Sequence, residues 1–357
     1  MPAVITMAEV TELADPKLRK IAMRVVKEME LTVQKIVAHK AEPANFPLPQ
    51  DPDSVEQILQ SRFQRLKPEQ QQLAVAKIMP RIKATTAARS RGFGELAKVN
   101  LGSATPVAKQ VADLPLPQDL KISLADLQKL TDLHGQIVQV SPGGLVLQQT
   151  TDKLEFRIHK VKCVDETGKG RFGELGEDEI SLGGTTVDES GDTKKVSEFK
   201  VGDFDDGDVK NFSPPRRFTL FSLREGTAFP KSYFVTLVLA EKDLSGGLAD
   251  FLGRLLEKVK ERVIAALAAL IGATVGASGG PIGAAIGAVV GFVVGKVFEF
   301  LKSVFADDIF PPKTISVSVP SLTHRFTGGK TDSPEAIARF VGHNGTYDIT
   351  YDWRLVA

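Results

Sequence analysis

The chain has a single cysteine, Cys163, among 357 residues. That excludes a disulfide framework within the chain and a multi-cysteine zinc site. One tryptophan, Trp353, and three tyrosines stand against twenty phenylalanines. A tryptophan-rich belt of the kind that lines a membrane interface is therefore absent. Charge of neither sign dominates, with 45 Lys and Arg against 44 Asp and Glu. Such balance argues against a general affinity for nucleic acid, and no nucleic-acid partner is expected. The opening MPAVITMAEVTELADPKLRK has no basic start followed by an apolar core. No secretory signal peptide is expected, so the chain is cytoplasmic when synthesised. Release or membrane association would then need lysis, a dedicated machine or a partner.

Catalytic signatures are missing as well. There is no G-x-S-x-G, no P-loop and no H-E-x-x-H, and the chain is expected not to be an enzyme. His159 and Cys163 lie four apart in an alternating segment. On a regular strand they would share one face about 13 Å apart, too far for a nucleophile and its base. His324 or His343 could approach Cys163 only from elsewhere in the fold.

What the chain does have is a charge-free run from Val263 to Gly295. It carries Gly272, Gly276, Gly280, Gly283, Gly287, Gly291 and Gly295, almost all four apart. Each glycine costs a helix roughly 1 kcal/mol relative to alanine. Their spacing strips one helix face of side chains and lets another backbone come close. This is a glycine zipper. Upstream, Leu248, Phe251, Leu252, Leu255, Leu256, Val259 and Val263 form an amphipathic stripe opposed by Arg254, Lys258, Lys260, Glu261 and Arg262. Gly279-Gly280-Pro281 breaks the run in the middle, which predicts a helical hairpin with arms Leu248–Ser278 and Pro281–Phe305. Each charge-free arm has about 15 residues, or roughly 22 Å, where a full membrane span needs roughly 30 Å.

The rest of the chain divides around this hairpin. Residues 1–117 read as a helical domain. Asp15-Pro16 starts a first helix with apolar residues from Leu18 to Val37, and Ser54 caps a second. Pro68 opens a third, with Leu73, Ala76 and Met79 expected inward and a kink at Pro80. A further helix is expected from Ala87 to Val99. Lys77, Arg81, Lys83, Arg89, Arg91 and Lys98 read as a solvated basic face. Residues 118–150 read as a linker with a short helix at 123–133 and a small hairpin. From Leu154 the period changes to two. LEFRIHKVKCV, DEISLGGTTVDES, SEFKVGDF, RRFTLFSL, SYFVTLVLAEKD, TISVSV and TYDITYDWRLV read as strands. YFVTLVLA is apolar on both faces and should be covered on both. Residues 151–357 thus form an antiparallel β-sandwich, with 248–306 inserted between two of its strands. The expected fold class is α+β: an N-terminal helical bundle plus an antiparallel sandwich carrying an apolar helical hairpin.

The turn VGDFDDGDVKNF crowds Asp203, Asp205, Asp206 and Asp208. Hard oxygen donors in one loop suit Ca²⁺, which takes six to eight, although the EF-hand spacing is missing. The competing reading is an acidic turn whose carboxylates are simply solvated. Acidic loops at one end of a sandwich resemble those of C2-type calcium- and lipid-binding domains. That resemblance implies Ca²⁺ as a cofactor, with the four aspartates as ligands; a long helical insertion is foreign to the family. KCVDETG, DEISLGG, VGDFDDGDVKNF, VTLVLAEKD, FADDIFPP and GHNGTYDITYDW also resemble a group of uncharacterised bacterial proteins of similar layout, which implies no activity.

Two functions are compatible with these features. In the first the protein is membrane-interacting, a toxin- or effector-like pore former whose hairpin enters lipid and whose glycines drive self-association. In the second it is a soluble binding or assembly module in which the hairpin is a buried packing element.

Overall fold

The computed structural model describes residues 5–13, 15–116, 151–167, 178–225, 229–241, 248–271, 281–305, 310–342 and 345–357. The helix expected at 123–133, the small hairpin after it and the hairpin tip lie outside them.

The expected α+β class holds. Among the described residues nine strands form two antiparallel sheets. Sheet one has five, in the order β1 (Thr6–Glu9), β7 (Lys313–Val319), β6 (Lys231–Glu241), β3 (Asp178–Val187) and β4 (Thr193–Phe204). Sheet two has four, in the order β5 (Val209–Ser222), β2 (Lys153–Asp165), β9 (Gly345–Val356) and β8 (Ala336–Gly342). Their inner faces meet in one core. Phe156 packs edge-on against Trp353 at 4.8 Å and stacks on Tyr351 at 4.9 Å. Tyr347 meets Phe204 and Phe310 edge-on, each at 5.6 Å.

The alternation read from sequence produces this core with local exceptions at register shifts, one of them in β2. Leu154, Phe156 and Ile158 point inward, but the pairing with β9 slips between Ile158 and Lys160. The bulge absorbs His159, so Val161 and Cys163 also face inward, fully buried. Cys163 and His159 therefore do not share a face, because the regular-strand spacing does not apply across a bulge.

β6 is covered on both sides, as its composition required. Tyr233, Val235, Leu237 and Leu239 enter the sandwich core, while Phe234, Val238 and Ala240 enter a second core on the outer side. That second core holds the helices: α1 (Pro16–Ala41), α2 (Val55–Phe63), α3 (Pro68–Ile82) and the hairpin arms α6 (Leu248–Ile271) and α7 (Pro281–Phe305). α4 (Thr86–Phe93), a 3₁₀ turn (Gly94–Lys98) and α5 (Val107–Ala112) close a smaller cluster around Leu31 of α1. The helix expected through Val99 turns 3₁₀ at Gly94, where φ is +57°. Asp15 and Ser54 cap α1 and α2 as expected, accepting from Leu18 N at 2.8 Å and Gln57 N at 3.3 Å.

Several features differ from the sequence reading, which also named no strand at β8. Residues 6–9 were assigned to the helical part, yet β1 pairs with β7, Thr6 opposite Ser318 and Glu9 opposite Ile315. Helices α1, α2 and α3 also share one core with the hairpin and sheet one, while the smaller cluster around Leu31 is made of N-terminal residues alone. A further difference is the rotation of α3. Leu73 is 61% exposed and Ala76 is also exposed, while Gln71, Ala74 and Ile78 are buried. The buried Gln71 amide donates to Leu66 O at 2.8 Å and Gln64 O at 3.3 Å. Satisfying those turn carbonyls sets the rotation, and hydrophobicity alone misplaces it.

This rotation is testable by urea denaturation. Leu73→Ser should change stability by less than about 0.5 kcal/mol. Ile78→Ala should cost about 2–4 kcal/mol, since it opens a cavity in the shared core.

Candidate functional site

The distinctive local arrangement is the seat of α7 on sheet one. From Ala285 to Val294 every residue of α7 is buried. A helix apolar on all sides needs cover on all sides. Sheet one supplies one side; α1, α3 and α6 supply the others. The glycines face the sheet. A Cβ built on Gly283 would lie 1.6 Å from Glu189 O, and one on Gly287 would lie 2.2 Å from the Phe234 ring. One on Gly291 would lie 2.8 Å from Thr314 Cγ2. Beneath them Thr236 and Thr314 hydroxyls bond each other at 2.9 Å, so this polar pair on the sheet surface is satisfied where the helix covers it. Gly295 continues the spacing but has open space around its Cβ position. Gly272, Gly276 and Gly280 lie outside the described residues. Gly283, Gly287 and Gly291 thus meet the sheet and its turn rather than the other arm.

Ion pairs tie the hairpin at its margins. Arg262 of α6 holds the buried Glu28 of α1 through two bonds, Nε to Oε1 at 2.6 Å and a terminal nitrogen to Oε2 at 3.2 Å. Arg254 donates to Pro52 O at 2.8 Å and meets Asp53 at 3.2 Å. Lys77 of α3, read as part of a solvated basic face, donates to Ser303 O of α7. Two other members of that face pair locally: Lys83 with Glu42 at 2.8 Å, and Lys98 with Glu95. Under the start of α7, in the turn after β3, Glu189 is fully buried and meets the buried Lys231 at 3.3 Å. Lys231 Nζ also donates to Leu223 O at 2.7 Å.

Burial pushes the Glu189 carboxyl above its ordinary range, against the opposing pull of Lys231. Burial does the same to Glu28, with Arg262 opposing it. A carboxyl raised in the folded state contributes stability that is fully present below its unfolded pKa. That contribution is lost as pH rises through the folded value. Acid therefore does not loosen the hairpin through Glu28 or Glu189.

The four aspartates of the acidic turn do not converge. Asp203 pairs with Lys200 at 2.7 Å. Asp206 accepts from Glu166 N at 2.8 Å. Asp208 accepts from Asp205 N at 3.3 Å and lies 3.6 Å from Lys210. Nearby Asp178 is engaged by Thr167 and Tyr347. Among the described residues no group of three or more His, Cys, Asp or Glu side chains is arranged to hold a metal ion. Ca²⁺ at this turn gains no support from the geometry.

Nucleophilic chemistry fares no better. Burial pushes the Cys163 thiol up, away from the thiolate form. His159 faces Glu335 at 3.2 Å and Asp352 at 3.1 Å on the other side of the strand. His324 is bonded to Ser321 at 2.9 Å, and His343 lies outside the described residues.

The chain matches no family model, no curated protein and no solved structure. None of these comparisons supports the likeness to C2-type domains or to the bacterial group. Sequence reasoning singled out the glycine spacing but missed Glu28, Glu189 and Lys231. Each looks like an ordinary surface charge in its segment, and only the packing of distant segments buries it.

Three substitution sets separate these contacts. Gly283→Ala and Gly287→Ala should each destabilise the fold, Gly283→Ala more because the obstacle is backbone. Gly295→Ala should be neutral or stabilise by up to about 1 kcal/mol. Lys231→Met alone should cost about 3–5 kcal/mol, and adding Glu189→Gln should recover most of it. Wild type should lose stability relative to Glu189→Gln as pH rises from about 4.5 to about 8, read by urea titration at each pH.

Proposed function

We propose that this protein is a non-enzymatic binding or assembly module whose helical hairpin is an internal packing element. The single observation that carries this reading is the glycine face of α7 lying against Glu189, Phe234 and Thr314. In this role the glycines join the helices to the sandwich, so that two layers of different chemistry behave as one body. Self-association through Gly283, Gly287 and Gly291 would have to displace sheet one from that face.

A membrane-active role is the second reading, and one observation favours it. The described start of α7 is apolar on every side, a property shared by core helices and membrane spans. Against it, among the described residues no helix is long and apolar enough to cross a membrane.

Hydrogen exchange and vesicle leakage separate the two. The packing role predicts that amides from Ala285 to Phe298 exchange among the slowest in the protein, with or without lipid. It also predicts no dye release from anionic vesicles between about pH 5 and about pH 8, with or without Ca²⁺. Release accompanied by faster exchange in α7 would favour the membrane role.

A further inference from the structure

Four strands stand at sheet edges: β1 and β4 in sheet one, β5 and β8 in sheet two. An open edge offers unpaired N–H and C=O groups to any extended chain, and native proteins blunt it. β1 is only four residues long. β4 carries Lys194, Lys195 and Lys200, slips register twice against β3 and has α6 lying against it. β5 contains Pro214 and Pro215 and slips register against β2. Among the described residues β8 has none of these devices. Its sequence, AIARFVG, holds no proline and no lysine, and it pairs with β9 from end to end without a shift. Ile337 and Val341 on its outer face are each 59% exposed.

The ladder fixes which backbone groups that edge offers. Gly342 and Gly345 are partners only three apart in the chain, so they form a hydrogen-bonded pair. Alternation from that pair turns the N–H and C=O of Ile337, Arg339 and Val341 away from β9 and toward the open side. These three residues are symmetric about Arg339, the middle residue of the strand. An antiparallel second copy centred there sets Ile337 against Val341 of the partner subunit, and Val341 against Ile337 of the partner subunit. It also sets Arg339 opposite Arg339 of the partner subunit. Like charges so placed would repel. Each Arg339, however, carries its counter-charge with it, because Nε and a terminal nitrogen each donate to the buried Asp348 at 2.7 Å. A slip of two residues would leave two of the apolar side chains without an apolar partner. The strand is therefore its own complement in one register.

We propose that β8 is a self-association edge. Two copies of the chain pair antiparallel along Ala336–Gly342, about a two-fold axis at Arg339, and join their four-stranded sheets into one continuous sheet. The inference names the partner for the assembly role proposed above and rests on that reading. A single pair of short strands is a small contact beside the roughly 1,200–2,000 Å² of a stable interface, so the dimer dissociates on dilution.

The test is sedimentation equilibrium of the full chain from about 5 μM to about 500 μM, with wild type expected to show a reversible monomer–dimer equilibrium. Val341→Pro removes an N–H that the folded monomer does not use, so it blocks strand pairing while keeping the position apolar. Ile337→Lys/Val341→Lys guards the edge with charge. Both should weaken the dimer by about tenfold or more, while Leu73→Lys, at an exposed apolar position on α3, should leave it unchanged. NMR-detected hydrogen exchange on wild type gives a reading that needs no variant. The amides of Ile337, Arg339 and Val341 should slow as concentration rises, whereas those of Ala338 and Phe340, already held by β9, should not. A chain that stays monomeric across the range overturns the proposal. So does a dimer indifferent to both edge variants, or one weakened equally by Leu73→Lys. If the three amides slow only when an unrelated peptide of alternating threonine and valine is added, the edge belongs to a foreign strand and the second copy is overturned. Exchange in α7 and dye release are read independently of these outcomes, so the packing reading stands or falls separately.

Discussion

The close approach of α7 to sheet one is the constraint on which the rest depends. At Gly283, Gly287 and Gly291 the sheet or its side chains occupy the space that a Cβ would need. A helix lying that deep covers the outer side of β6, which is why β6 is apolar on both faces. It also leaves the helix's far side, with Val289 and Val293, facing away from the sheet with nothing yet over it. That side must be covered in turn, and α1, α3 and α6 cover it. The N-terminal helices are therefore the outer half of a core whose inner half is sheet one. β1 completes the tie by adding the chain's first described strand to the edge of that sheet.

A core of valine, alanine and glycine specifies contact but is weak at specifying rotation and register. The buried ion pairs supply what it lacks. Glu28–Arg262 joins α1 to α6, and Glu189–Lys231 joins the turn under α7 to the start of β6. Lys35–Glu56, at 3.7 Å, joins α1 to α2, while Lys35 donates to Thr105 O at 3.0 Å and Glu56 accepts from Val107 N at 2.7 Å. Such pairs cost desolvation and contribute little net stability. Their geometry is demanding, however, and each links segments far apart in sequence. They admit one arrangement of helices on the sheet where apolar packing alone would tolerate several.

Local physics was legible in the sequence. The caps Asp15 and Ser54, the breaks at prolines and glycines, the period-two strands and the two hairpin arms all follow from residues close together in the chain. What was hidden depends on distant partners. The rotation of α3 is set by Gln71 reaching back to carbonyls of the preceding turn, so Leu73 is left in solvent. The bulge at His159 is a mismatch between β2 and its neighbours, and no residue type announces it. Residues 6–9 are too short and too mixed to read as a strand until β7 is beside them. For the candidate site, the spacing of the glycines gave a smooth helix face but not its occupant. Glycine excludes side chains equally well for a helix, a sheet or a lipid-bound neighbour, and the partner's identity lies in Phe234 and Thr314.

The same property of α7 suits a protein core and a bilayer, so the two roles are separated by energy rather than by sequence. Ile286, Val289, Val290, Phe292, Val293, Val294, Val297, Phe298, Leu301, Val304 and Phe305 are all buried. At about 2 kcal/mol for each side chain returned to water, uncovering the arm costs on the order of 20 kcal/mol. A whole domain is commonly stable by only about 5–15 kcal/mol. The arm thus cannot leave its seat into water without global unfolding. Only a direct transfer, in which lipid replaces protein contacts as they are lost, could keep the cost below that limit. The raised carboxyls Glu28 and Glu189 give acid no leverage on that transfer, since their protonation favours the folded state. A membrane role would then require the bilayer itself to act on the folded protein, whereas the packing role requires nothing beyond the contacts already made.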